Sequence, residues 1–105
     1  MKIFFEDKAL EDLYYFGHTS DKKYKRLRFG IIKADIKAVN YLRAATRIED
    51  WYRINSLHYE KKAGDLEGQE FVRINDKYRL RLKSFAEEDA IVVNVILIEI
   101  SKHYE

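Results

Sequence analysis

Residues 64–83, GDLEGQEFVRINDKYRLRLK, are the stretch on which the reading of this chain turns. They run as a turn, a strand, a tight reversal and a second strand. Tyr78, Leu80 and Leu82 alternate with Arg79, Arg81 and Lys83, a period of two that gives a strand one apolar and one cationic face. The preceding strand, residues 70–74, carries Arg73, and Asn75-Asp76-Lys77 supplies turn-forming residues between the two. From Phe71 to Lys83 there are five cations (Arg73, Lys77, Arg79, Arg81, Lys83) against one acid, Asp76, so the hairpin is where function is expected.

Downstream, residues 86–90 read as an acidic loop. Residues 91–100, IVVNVILIEI, form a nearly continuous apolar, β-branched run, the pattern of a strand buried on both faces and so central in its sheet. Upstream, residues 57–61 read as a short extended stretch carrying His58. Thr46 and Glu49 have capping-box spacing and predict a short helix through Trp51 and Tyr52 that ends at Asn55. Residues 22–45 read as the longest helix, with Ser20 or Asp21 as its cap. Tyr24, Leu27, Ile31, Ala34, Ala38, Tyr41 and Ala45 make its apolar stripe, and Gly30 inside it marks a close approach or a bend. Lys23, Lys25, Arg26, Lys33 and Lys37 lie opposite, as a solvated face or a nucleic-acid surface. A shorter helix precedes it, capped by Asp7 and closed by a left-handed Gly17, and residues 2–5 form a first strand.

That order predicts an α+β fold: an N-terminal helical hairpin packed on one face of a small, mainly antiparallel twisted β-sheet. The other face carries the hairpin's cations. At 105 residues the chain is expected to be a single domain. With no cysteine, disulfides, thiolate metal sites and catalytic thiols are excluded, in keeping with a reducing cytoplasm. The opening apolar run is too short for a signal peptide, and no segment approaches the ~20 apolar residues that span a bilayer, so no membrane partner is expected. Net charge is only +2, so local charge informs more than the total.

Arg73, Arg79 and Arg81 can clamp a phosphate and stabilise charge developing in phosphoryl transfer. Equally, they can solubilise an exposed sheet face, paired to the Glu87-Glu88-Asp89 loop. His103 and Tyr104, just beyond the apolar strand, can act as an acid–base pair, and His58 is a second acid–base candidate. Each also reads as surface decoration. Lys61 and Lys62 either reach phosphates or face solvent. Three scattered histidines form a poor metal-ligand set, so no metal and no cofactor is expected.

Four stretches in order, KIFFEDKALEDL, LHYEKKAGDLEG, RINDKYRLRL and LIEISKHYE, resemble the HigB-like, host-killing branch of the RelE/ParE superfamily, the toxins of type II toxin–antitoxin systems. The resemblance spans the chain. It implies a metal-independent, ribosome-dependent endoribonuclease that cuts mRNA in the decoding site. It implies catalytic roles for His58, His103, Tyr104 and Arg79, with Arg73 in the same cluster on the neighbouring strand; Arg81, Lys61 and Lys62 are the further candidates for RNA or phosphate binding. His103 would be acid or base, and His58 its counterpart or an RNA orienter. The implied partner is a cognate, HigA-like antitoxin with a helix-turn-helix domain, DNA being bound only through the toxin–antitoxin complex. Two departures from the family are Ala63, where a lysine is usual, and Lys102, where an acid is found. A ParE-like inhibitor of DNA gyrase on the same fold, or an inactive member that only binds antitoxin or RNA, are the alternatives.

Overall fold

The computed structural model describes residues 1–62, 68–86 and 93–102. The chain opens with β1 (Lys2–Phe5) and turns into α1 (Lys8–Phe16). The Asp7 carboxylate accepts from the Ala9 N–H at 2.7 Å and caps that helix. Gly17, at φ 76°, ends it with its N–H on the Leu13 carbonyl, a backbone conformation open to glycine and strained for most other residues. Ala9, Leu10 and Leu13 face the core, whereas Phe16 is exposed.

The second helix is shorter than its periodicity predicts. Asp21 caps a local turn through the Lys23 N–H at 2.8 Å, and α2 begins only at Phe29, running to Ala44. Tertiary contact explains the difference. β1 ends level with Leu97, leaving the Ile100 N–H beyond its reach, and the buried Tyr24 hydroxyl accepts that proton at 3.1 Å. Holding Tyr24 there draws residues 21–28 out of helix. The buried stripe of α2 is also rotated from the expected one, to Ile32, Asp35, Ala38, Val39 and Leu42. Gly30 falls in its first turn, with open space where a side chain would stand, so it marks neither a bend nor a close approach. Asp35 is 2% exposed and its Oδ1 has no partner, and burial pushes its carboxyl up to about 7.

α3 (Ile48–Tyr52) is capped one residue later than expected. The Asp50 carboxylate accepts from the Thr46 and Arg47 N–H groups, each at 3.1 Å, and Glu49 has no part in it. The helix buries Trp51, whose indole donates to the Leu42 carbonyl. Asn55 begins a single 3₁₀ turn (Asn55–Leu57) rather than closing α3. The extended stretch expected over residues 57–61 reduces to β2 (Glu60–Lys61), because His58 turns the chain through the left-handed region, φ 44°.

β3 (Glu70–Arg73), β4 (Tyr78–Ala86) and β5 (Val93–Lys102) complete a five-stranded sheet in the order β1-β5-β4-β3-β2. The strands are antiparallel except β1, which runs parallel to β5. β5 is interior, as expected, but β4 holds the middle. Nor is β5 buried on both faces, since Ile96, Ile98 and Glu99 remain partly open. A register shift sets Arg81 against Glu99 but Leu82 against Leu97, leaving Ile98 as an extra residue. That bulge lets both Leu97 and Ile100, three apart, join the core. Val72, Leu80, Leu82, Val95, Leu97 and Ile100 form the covered face with Leu10, Leu13, Val39 and Leu42. Each large aliphatic side chain so buried contributes roughly 2 kcal/mol. No helix among the described residues is long and apolar enough to cross a membrane.

Candidate functional site

Alternation along β3 and β4 sends Val72, Leu80 and Leu82 inward and Phe71, Arg73, Arg79 and Arg81 to the open face. Register then brings the arginines together. Arg73 is paired directly with Arg79, Arg81 stands opposite Phe71 one repeat along, and Glu60 of β2 pairs with Phe71 from the other side. Lys62 belongs to this face too, its Nζ 6.0 Å from the centre of the Phe71 ring and 2.9 Å from the Glu60 carboxylate. Lys61 does not. It is level with Glu70, which points to the covered side, so the structure separates two lysines that sequence grouped.

Each guanidinium has a partner within the chain. Arg73 binds the exposed Asp76 at 2.5 Å, and this bond, together with the nearby positive charge, holds the Asp76 carboxyl below its ordinary value. Arg79 donates to the turn carbonyls of Asn75 and Tyr78. Arg81 lies 3.3 Å from Glu99, and its Nε is buried without a partner. The hairpin's own Asp76 and Glu99 of β5 thus pair with arginines. The Glu87-Glu88-Asp89 loop expected in that role lies outside the described residues. The turn is set by Asn75, whose side-chain oxygen accepts from the Lys77 and Tyr78 N–H groups.

His58 is exposed and opens into a cleft of about 420 Å³ with Tyr52, Asn55 and Glu60. Its neighbours Ser56 and Leu57 share a different cleft with Arg73 and Ile74, while Glu60, which lines the His58 cleft, pairs with Phe71 on the arginine face. His103 and Tyr104 lie outside the described residues, as do Ala63 and the Gly64-Asp65 turn. The strand leading to His103 is described: Ser101 pairs with Arg79 and Lys102 with Tyr78.

One group escaped sequence reading. Glu70 is 2% exposed and accepts from the Tyr59 hydroxyl, the Ser84 N–H at 2.7 Å and the Ser84 hydroxyl at 2.6 Å. Burial first, then Glu70, pushes the Tyr59 phenol well up. The signal was present in Glu70's parity with Val72, which places a carboxylate on the apolar side. Among the described residues, no three His, Asp or Glu side chains gather as a metal would require.

The fold resembles solved structures. The YoeB/ParE toxin from Agrobacterium tumefaciens aligns with 99% of this chain and 100% of its own at TM-score 0.54 and 17% identity. The YoeB–YefM complex from Staphylococcus aureus matches over 99% of this chain and 98% of that one, at TM-score 0.47 and 21% identity. No family model and no curated protein matches the sequence. The chain therefore has the α+β fold of the YoeB/ParE toxins.

Proposed function

We propose that residues 1–105 form one toxin domain of a type II toxin–antitoxin system, a HigB-like, ribosome-dependent mRNA endoribonuclease of the RelE/ParE superfamily. The observation that carries this reading is the direct pairing of Arg73 with Arg79 on the open sheet face, with Ser101 beside Arg79 two residues before His103. A scissile phosphate over that pair meets two forked cations, and charge growing on its oxygens is stabilised. One acid–base group, His103 or His58, takes the proton of the ribose 2′-hydroxyl, whose oxygen attacks the adjacent phosphorus. The bond from phosphorus to the 5′ oxygen breaks, and the other group protonates the leaving oxygen. The products are a 2′,3′-cyclic phosphate and a 5′-hydroxyl. Tyr104, next to His103 in sequence, donates or holds a proton, while Arg81 and Lys62 hold the neighbouring backbone. Lys61, on the covered side, has a smaller part. An antitoxin of the helix-turn-helix, HigA-like kind covers the face in the resting cytoplasmic complex, and DNA is met only through that complex.

A second reading, a ParE-like gyrase inhibitor, is favoured by the arginines' partners: Arg79 and Arg81 are already engaged within the chain. Induced expression with mapping of mRNA 5′ ends separates the two. Cuts in translated frames that disappear in Arg79→Ala and His103→Ala support the nuclease. Growth arrest with DNA-damage induction and intact mRNA would replace it with the gyrase inhibitor.

A further inference from the structure

On the far side of Arg73 from the open sheet face lies a second cationic surface. A cleft of about 770 Å³ opens between the start of α2 and the β3–β4 turn, with Arg26, Arg28, Arg73, Lys77 and Tyr78 in its walls. A smaller one, about 180 Å³, continues along α2 past Lys37 and Tyr41 and is again bounded by Arg73. Together they make a groove following α2 from Gly30 to Tyr41, roughly 16 Å of helix. Among the described residues its one acid is Asp76, already engaged by Arg73. Arg26, Arg28 and Lys77 have no carboxylate partner there, unlike Arg73 and Arg81 of the sheet face. Unpaired guanidinium groups converging on one concave surface focus a positive potential that a chain of phosphates would satisfy.

We infer that this groove binds the phosphate backbone of single-stranded RNA, extending the RNA path from the open face, around Arg73, onto the helix layer. The inference deepens the function proposed above and rests on it for RNA as the natural polyanion. Two features favour RNA over an acidic protein segment. Arg73 belongs to both surfaces, so one continuous polymer can follow the cations from face to groove. Tyr78 and Tyr41 stand in the groove walls, where rings can stack on bases.

The test measures binding of the full chain to an unstructured RNA 12-mer by fluorescence anisotropy across a salt series. Arg26→Ala/Arg28→Ala is compared with wild type, both being exposed positions whose removal leaves the core intact. The double variant is expected to bind roughly tenfold more weakly at 0.1 M salt, and its log–log salt slope to fall by about 1 to 1.5, since each single-strand contact carries ~0.7. Unchanged affinity and slope, or no RNA binding by wild type, would overturn the groove. So would a double variant that keeps RNA but loses polyglutamate of matched charge, which would assign the groove to an acidic protein segment. Arg79→Ala separates the two proposals. A wild type that cuts no mRNA yet loses RNA affinity on Arg26→Ala/Arg28→Ala leaves the groove and removes the nuclease. Arg79-dependent cutting with unchanged affinity does the reverse.

Discussion

Strands β3 and β4 present two faces built from alternating residues, and the two hold their charges differently. On the covered face a single carboxylate, Glu70, is enclosed and takes three hydrogen bonds from Tyr59 and Ser84. On the open face three guanidinium groups rest on an exposed Asp76, on turn carbonyls and on a partly exposed Glu99. A buried polar group is tolerated only when its hydrogen-bond partners are complete, so the first arrangement is structural and rigid. Contacts near water are worth little individually, so a phosphate can displace the second. Asp35 sharpens the contrast: it is as buried as Glu70 but lacks a partner for one oxygen.

The comparison breaks first at Glu70. Glu70→Ala strips the acceptor from Tyr59 and Ser84 and is expected to remove about 4 kcal/mol of stability, with Glu70→Gln losing markedly less. Urea unfolding of both variants decides it, and a loss under 1 kcal/mol in the alanine variant would deny the network its structural role.

Asp35 comes next. Its carboxyl rises from 3.8 to about 7 on folding, so below pH 4 it is neutral in both states and costs little. Between pH 4 and 7 the folded chain holds a proton that the unfolded chain releases, and stability falls as pH rises. Above pH 7 the full penalty applies, up to about 4 kcal/mol from a change of that size. Asp35→Asn should therefore flatten the pH dependence of unfolding over this window, with its advantage over wild type largest at pH 8. Parallel pH profiles for the two proteins would contradict it.

On the open face the order of effects reverses. Arg79→Ala should change stability by no more than about 1 kcal/mol while lowering mRNA cleavage 10²–10³-fold, as loss of a donor to developing charge does. Thermal melts beside single-turnover cleavage give both readings. The smallest effect is expected for Glu99→Gln, which frees Arg81. It should cost under about 1 kcal/mol and tighten RNA binding slightly, measurable by the same melt and by anisotropy.

Much of the framework was legible because its determinants are local. The Asp7 and Gly17 caps of α1, the two-residue period of 78–83, the Asn75 turn and the β-branched run into β5 act over a few residues each, and the structure retains them all. The convergence of Arg73, Arg79 and Arg81 on one face follows from the same period. What only tertiary structure decided depends on partners far along the chain. Tyr24 leaves its helical pattern for an N–H at Ile100, β1 joins β5 in parallel, and the bulge at Ile98 returns Ile100 to the core. Glu70 finds Ser84, His58 turns left-handed, and α2 faces the hairpin across a groove. Local steric and capping preferences are written in neighbouring residues. Burial, register and the completion of hydrogen bonds exist only once distant segments meet.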